Sequence, residues 1–152
     1  MLWKDKLMNK SEAIQRSISL INMSNIVMVG SHDKNGYPNI KGMLKMKNEG
    51  LKTFYFSTNT SSKRVAQFKE NPKASLYFVT FSDWQGLMLI GEMEVLQDKD
   101  LKEKLWEKGF EKYYPLGVDD PDYSVLRFIA TKGNYYHHLC NIDFDIDETE
   151  NL

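Results

Sequence analysis

The spacing of apolar residues near the start of the chain predicts an amphipathic helix. Residues 11–22 carry a single apolar stripe. Ile14, Ile18 and Ile21 form this stripe, recurring at intervals of four and three residues. Such spacing matches the 3.6-residue repeat of an α-helix that buries one face. Asn9 lies just before the stretch and is predicted to cap the first turn of this helix.

Shorter apolar segments separated by turn residues predict a series of β-strands. Asp33-Lys34-Asn35-Gly36 predicts a hairpin turn, in which Asn35-Gly36 supplies the positive φ angles. The predicted strands span residues 25–31, 38–47, 51–56, 73–81 and 85–96. The turn signals between them are short, so neighbouring strands are expected to pair antiparallel.

Two more helices and a closing hairpin complete the predicted fold. The helices span residues 61–70 and 98–113, and a turn at 132–134 joins strands at 123–131 and 135–139. In the tail, Ile142, Phe144 and Ile146 alternate with aspartates, which predicts a half-buried edge strand protected by charge. The pattern predicts a mainly β fold with helices, a small β-barrel formed as one domain over residues 1–152.

Composition and charge exclude several classes of function. The formal net charge is −1, so no general basic field attracts nucleic acid. No apolar run approaches the roughly 20 residues that span a membrane. Cys140 is the only cysteine, which excludes an internal disulfide and favours a reducing, cytoplasmic setting.

The run from Phe56 to Arg64 concentrates hydroxyl groups and cations where a strand is followed by a helix. Five serine and threonine residues precede Lys63 and Arg64 in this run. Free N–H groups and the positive end of a helix dipole favour an anion at such a junction, and hydroxyls donate to phosphate oxygens. Serine and threonine are also good helix caps, so taken alone the run has a purely structural interpretation.

His137, His138 and Cys140 invite a metal-site interpretation, which the strand pattern does not favour. Adjacent residues on a strand point to opposite faces. No other cluster in the sequence completes a tetrahedral set of ligands. We therefore expect ordinary strand residues here and no metal.

The residues from Gly36 to Gly91 resemble, without a gap, the FMN-binding split-barrel family. That family includes pyridoxamine phosphate oxidases and flavin-binding general stress proteins. The motifs that carry the resemblance are Gly36-Tyr37-Pro38, Lys41-Gly42-Met43, Phe54-Tyr55-Phe56-Ser57-Thr58, Ser61-Ser62-Lys63, Asn71-Pro72-Lys73-Ala74-Ser75-Leu76 and Leu89-Ile90-Gly91. A looser match over Trp106, residues 114–117 and residues 119–123 is similar to the general stress branch.

The resemblance implies a split β-barrel and a set of residues that bind FMN. Lys41 and Ser62 stand where the family has arginines near the flavin phosphate. Gly86 stands at a glutamine position that meets the flavin ring, and Gln85 is its neighbour. The implied cofactor-binding residues are Lys41, Gly42, Met43, Leu44, Phe56, Ser57, Ser62, Lys63 and Gln85.

The resemblance also implies an assembly and a reaction class. It implies a homodimer with FMN between the subunits and a small-molecule electron donor or acceptor as partner. An FMN-dependent oxidoreductase and a non-catalytic flavin buffer or sensor both fit, and a barrel that has lost its flavin is a third reading. Residues 141–152 carry acidic residues but no lysine, arginine or histidine. We therefore do not expect oxidation of pyridoxamine phosphate, whose own phosphate needs a second cluster of cations.

Overall fold

The computed structural model describes residues 8–150; both ends of the predicted domain, residues 1–7 and 151–152, lie outside this range. The helices are α1 (Lys10–Met23), α2 (Lys63–Glu70) and α3 (Lys99–Lys104). The strands are β1 (Ile26–His32), β2 (Pro38–Leu44), β3 (Lys47–Glu49), β4 (Thr53–Asn59), β5 (Lys73–Thr80), β6 (Gln85–Leu96), β7 (Tyr123–His137) and β8 (Cys140–Asp145). Among residues 8–150, no helix combines the length and apolar character that crossing a membrane requires.

All strands belong to one antiparallel sheet that curls toward a barrel. The strand order is β2-β1-β5-β6-β7-β4-β3, and β8 adds to β7 on a side branch. The two ends of the path approach each other, because β2 contacts β4. The structure therefore confirms the mainly β fold with helices that the sequence pattern predicted.

The interior of the curled sheet is filled by phenylalanine and aliphatic side chains. Phe54 packs against Phe78 and Phe128, with ring centroids 5.6 and 6.2 Å apart. Helix α1 contributes Ile14 and Ile21 to the same core. Its predicted cap is confirmed, since the Asn9 side chain accepts a hydrogen bond from the Glu12 N–H at 2.8 Å.

The predicted helix over residues 98–113 is wrong beyond its first turns. Helix α3 ends at Lys104, and Gly109 adopts a left-handed φ of 101° that an α-helix cannot continue through. The aromatic residues beyond α3 instead build a second, smaller cluster. In it, Trp106 packs edge-on against Phe110 and Tyr123 at 5.6 and 5.5 Å.

The predicted hairpin at residues 132–134 is also wrong, because β7 runs unbroken through it. A Cβ on Gly133 would meet the Phe144 ring at 2.5 Å, so this glycine allows close packing and does not make a turn. The true turn lies at His138 and Leu139, whose φ angles are 47° and 62°. Beyond it, β8 pairs with β7 and buries Phe144, which confirms the predicted half-buried strand.

The predicted strand over residues 38–47 is divided in two by the curling of the sheet. Strand β2 ends at Leu44, and β3 begins at Lys47 and pairs with β4 on the other end of the sheet path. Lys45 donates its ammonium group to the Ile21 carbonyl at 2.8 Å in the bend between the two strands. Because of this bend, β2 and β3, which follow each other in the chain, form the two ends of the sheet path.

Candidate functional site

A cleft of about 370 Å³ opens between the start of α2 and the β1–β2 hairpin. We call it the cation cleft. Its lining residues are Val29, Ser31, Asn39, Ile40, Lys41, Ser62, Lys63, Arg64 and Gln67. Three of these side chains carry positive charge, and among the described residues no carboxylate lines the cleft.

Strand register places the hairpin's contribution to the cleft. Val29 pairs with Lys41, and Ser31 pairs with Asn39, so these four residues share one face of the hairpin. Ser31 also joins the hairpin to α2, because its hydroxyl donates to the Gln67 amide oxygen at 2.5 Å. With that oxygen occupied, the groups that Gln67 retains for a ligand are its two N–H donors.

The hydroxyl-rich run before α2 contacts Asp122 on one side and the cation cleft on the other. On one side, Asp122 accepts hydrogen bonds from the Asn59 amide and the Ser61 N–H, each at 2.8 Å. These hydrogen bonds, led by that from Asn59, hold the pKa of Asp122 below its usual value. On the other side, Ser62 caps α2 by accepting from the Val65 N–H at 3.3 Å, and its neighbours face the cation cleft.

Arg64 lies at the inner side of this cleft without a carboxylate partner. One guanidinium nitrogen, Nη2, donates to the Thr58 hydroxyl at 3.3 Å. Its Nε is buried and has no hydrogen-bond partner among the described residues. Burial lowers the pKa of Arg64 from its usual value, because desolvation penalises the charged form. A buried charge is normally paired, so the cleft is suited to an anion.

Three of the predicted cofactor-binding residues meet in the cation cleft. Lys41, Ser62 and Lys63 all line it. The sequence did not predict Ser31, Asn39 or Gln67 in the site. They reach it through the pairing of β1 with β2 and the hydrogen bond between Ser31 and Gln67. Arg64 had a signal in the sequence, since it directly follows Lys63.

The remaining predicted residues lie elsewhere. In β2, Met43 is buried in the core, whereas Gly42 and Leu44 are exposed and do not line the cleft. Phe56 is fully buried in the main core. Ser57 pairs with Val125, which belongs to the second, smaller cluster, so Ser57 lies on the face of β4 opposite to Phe56.

Gln85, at the start of β6, takes part in a different hydrogen-bond network. Its amide oxygen accepts from the Tyr135 hydroxyl at 2.6 Å, and its amide nitrogen donates to Asp83 at 3.1 Å. Both hydrogen-bonding ends of the side chain are therefore engaged. Among the described residues, Gln85 does not line the cation cleft.

Next to the cleft, the outer side of the sheet exposes seven large apolar side chains. We call it the outer apolar face. It consists of Ile26, Met28, Ile40, Leu44, Tyr77, Met88 and Ile90, each 39–74% exposed. Strand pairing aligns Met28, Tyr77 and Met88 in one row across β1, β5 and β6. Contiguous apolar surface of this kind is typical of an interaction site.

The turn after β7 brings two histidines and an aspartate together, contrary to the expected orientation. The positive φ of His138 rotates its ring onto that of His137, with centroids 3.6 Å apart. Asp83 lies 3.0 Å from His137 Nε2 and 3.7 Å from His138 Nε2. The expectation that the two histidines point to opposite faces is therefore wrong, because the strand ends at His137.

Arg16 determines which nitrogen of His137 carries the proton. Its Nη1 lies 2.9 Å from His137 Nδ1, and a guanidinium group only donates hydrogen bonds. Nδ1 therefore accepts, and the protonated Nε2 donates to Asp83. This hydrogen bond from His137 is the main cause that lowers the pKa of Asp83. In this arrangement Nε2 has no free lone pair for a metal ion.

Comparison with known proteins agrees with the fold. The sequence profile of the pyridoxamine 5'-phosphate oxidase family matches residues 15–137. A crystal structure from Clostridium acetobutylicum, of a protein related to general stress protein 26 of B. subtilis, shares 52% identity and a TM-score of 0.81. That match covers 93% of this chain and 99% of the other. The chain therefore belongs to the pyridoxamine 5'-phosphate oxidase family, and it resembles the general stress protein branch.

Two further relatives show how far the likeness extends. Pyridoxine/pyridoxamine 5'-phosphate oxidase of Pelagibacter ubique is 29% identical over 91 residues, which are 60% of this chain and 43% of that protein. The match thus spans less than half of that curated relative. A heme binding protein of Mycobacterium smegmatis has a TM-score of 0.72 at 13% identity, covering 91% of this chain and 60% of that one. This last likeness concerns the fold alone.

Proposed function

We propose that this protein binds FMN and holds its terminal phosphate in the cation cleft. The observation that carries the proposal is the gathering of Lys41, Lys63 and Arg64 around one cleft without a carboxylate. The residues present fit a phosphate, since they combine positive charge with the Ser62 hydroxyl at the first turn of a helix. Arg64 also lines the cleft and takes part in no ion pair among the described residues, so its charge is available to an anion.

The neighbouring strand suits the flavin ring, which the family resemblance implies beside Lys41 to Leu44. Strand β2 is the end of the sheet path, so its backbone groups on one side have no strand partner. Gly42 has no side chain, and Ile26 and Met28 flank the position that its Cβ would take, at 3.4 and 3.7 Å. A flat ring can approach the backbone at such a position.

Bound FMN would supply the electron-transfer chemistry, and the protein would bind and orient it. We propose an oxidoreductase that passes electrons from a nicotinamide donor to a small acceptor in the cytoplasm. A non-catalytic flavin buffer or sensor is the second candidate. Rapid mixing of the FMN-loaded protein with NADH or NADPH separates the two. Flavin reduction followed by turnover of an added acceptor supports the enzyme; no reduction supports the buffer or sensor.

Lys63→Ala is expected to weaken FMN binding by about tenfold, because it removes a charge-assisted hydrogen bond to the phosphate. Lys69→Ala is the matched control, since Lys69 is also an exposed lysine on α2 but lies outside the cleft. Titration of each variant with FMN, followed by flavin fluorescence, gives the dissociation constants. Equal affinities in the two variants would place the phosphate elsewhere.

We further propose a homodimer that buries the outer apolar face, and we predict that its dissociation releases FMN. The exposed side chains of this face need a cover, and a second copy supplies one of the same character. If the ring lies between the subunits, mass action links dimer and cofactor equilibria. Sedimentation at falling protein concentration, recorded at the flavin absorbance, measures both. A monomer that keeps its FMN on dilution would contradict the shared site.

A further inference from the structure

A second hollow, on the outer side of the sheet, is larger than the cation cleft. Its volume is about 610 Å³, against about 370 Å³ for the cleft, and both sizes are typical of small-molecule sites. We call it the apolar trough. Ser31 and Ile40 line both hollows, so the trough and the cleft meet at the β1–β2 hairpin.

Strand register explains why the sheet is hollow at this place. One paired row across β2, β1, β5 and β6 consists of Ile40, Gly30, Ser75 and Ile90. Paired residues point to the same side of a sheet, so two small residues lie between two isoleucines. A Cβ on Gly30 would meet the Ser75 Oγ, so the serine hydroxyl lies over the glycine on the floor of the trough.

The floor of the trough is one row wide. The next row along the strands holds Met28, Tyr77 and Met88, so large side chains return there. Rows on one side of a sheet are about 7 Å apart, because side chains alternate and each residue advances the strand by about 3.4 Å. A slot of this width between isoleucine walls suits a flat molecule.

The charges around the trough favour a neutral ligand. Lys73 and Glu92 line the trough and pair across β5 and β6, so their opposite charges offset each other. The cation cleft differs, because three cations and, among the described residues, no carboxylate line it. We therefore expect an anion in the cleft and a neutral molecule in the trough.

Three polar side chains give the apolar lining positions for hydrogen bonds. The Ser75 hydroxyl lies on the floor, and the Thr131 hydroxyl donates to the Ile90 carbonyl at 3.2 Å. His32 also lines the trough, and its Nδ1 is shielded, so Nε2 is the ring nitrogen that a ligand can reach. A hydroxyl or an imidazole N–H can donate to a carbonyl oxygen of a ligand.

The trough lies beside the position proposed for the flavin ring. Ile40, which forms one wall, and Gly42 are two residues apart on β2 and point to the same side, about 7 Å from each other. The ring is proposed next to residues 41–44. A molecule held in the trough would therefore lie next to the ring.

We propose that the apolar trough binds the electron acceptor, and that this acceptor is a neutral, flat carbonyl compound of the quinone class. The proposal rests on the proposed function and names the acceptor that it leaves open. Apolar quinone rings fit between the isoleucine walls, and the quinone oxygens accept from Ser75 or His32. Reduction to the hydroquinone takes a hydride equivalent, which the nicotinamide donor supplies through FMN, and a proton, which solvent supplies.

The test measures binding of menadione, a naphthoquinone without a long tail, to the full chain by calorimetry, with and without FMN. Ser75→Leu fills the floor of the trough, and His32→Phe keeps a ring without its nitrogens. Ser82→Leu is the matched control, since Ser82 is exposed and lies in the turn between β5 and β6, outside the trough. The affinity of each variant for FMN is measured alongside.

We expect the unsubstituted protein to bind menadione in both forms. Ser75→Leu should weaken that binding by about tenfold or more, because the added side chain takes the ligand's place. His32→Phe should weaken it by about three- to tenfold, the size of one hydrogen bond. Ser82→Leu should change it by less than about twofold, and FMN affinity should change as little in all three variants. In turnover with NADH or NADPH, the KM for menadione should rise in Ser75→Leu, whereas the rate of flavin reduction by the donor should not change.

Three outcomes would overturn the proposal. The first is no binding of menadione by the FMN-loaded protein, as expected if side chains of a second copy fill the trough. The second is an equal menadione affinity in Ser75→Leu and Ser82→Leu, which would place the ligand elsewhere. The third is binding without reduction by the FMN-loaded protein and the nicotinamide donor, which would remove the acceptor role. Failure to bind FMN would instead overturn the proposed function, and menadione binding to the flavin-free protein would still decide whether the trough is a binding site.

Discussion

Phe56→Ala is expected to lower the free energy of unfolding by about 3–5 kcal/mol, because it opens a cavity in the main core. The family resemblance pointed to Phe56 as a cofactor residue, whereas the structure buries its side chain completely among apolar neighbours. Chemical denaturation of the flavin-free protein, fitted at constant slope, measures the change. We expect this loss of stability in the flavin-free protein, so it does not depend on flavin binding.

Phe81→Ala is the matched control for this prediction. Phe81 lies just after β5 and is 78% exposed, so its truncation should change the free energy of unfolding by less than about 0.5 kcal/mol. The opposite result for Phe56→Ala would be full stability combined with lost FMN affinity. That pattern would show that Phe56 acts on the cofactor and that the core packs without it.

FMN is expected to bind at least about a hundredfold more tightly than riboflavin. Two charge-assisted hydrogen bonds in the cleft, at about 1.5–3 kcal/mol each, account for a difference of that size. The difference should shrink with added salt, because the exposed Lys41 and Lys63 are screened. Competitive titration with FMN, FAD and riboflavin at two salt concentrations provides the measurement.

Equal affinity for FMN and riboflavin would remove the basis for a phosphate site in the cation cleft. FAD also serves as an internal control, since its phosphates are not terminal. The sequence contains no dinucleotide-binding fingerprint for the adenylate half of FAD. We therefore expect FAD to bind more weakly than FMN.

Local patterns predicted the elements whose signals are local. Helix α1, its Asn9 cap and the turn at residues 33–36 depend on neighbouring residues, and the structure has all three. Two details were wrong: Ile18 is 37% exposed, and only Gly36 of the Asn35-Gly36 pair has a positive φ, of 83°. The failures came where tertiary packing overrides the local signal. Gly133 reads as a turn residue, yet it makes room for the Phe144 ring. The true turn, at His138 and Leu139, uses left-handed backbone. Leucine rarely adopts this conformation, so no signal in the sequence indicated the turn.

The candidate site shows the same division between local and distant information. Ser62, Lys63 and Arg64 are consecutive, so their gathering at the start of α2 could be predicted from the sequence. The approach of Ser31 and Gln67 depends on packing between elements 36 residues apart, which no spacing rule reveals. The burial of the Arg64 Nε is likewise a property of the folded chain.

The visible spectrum of the freshly purified protein, with mass analysis of any released ligand, tests the central proposal most directly. The proposed function predicts an absorbance spectrum of bound flavin and release of a compound with the mass of FMN. A colourless preparation should acquire that spectrum when FMN is added. A haem spectrum, or a protein that takes up no flavin at all, would contradict the proposal that the cation cleft holds the phosphate of FMN.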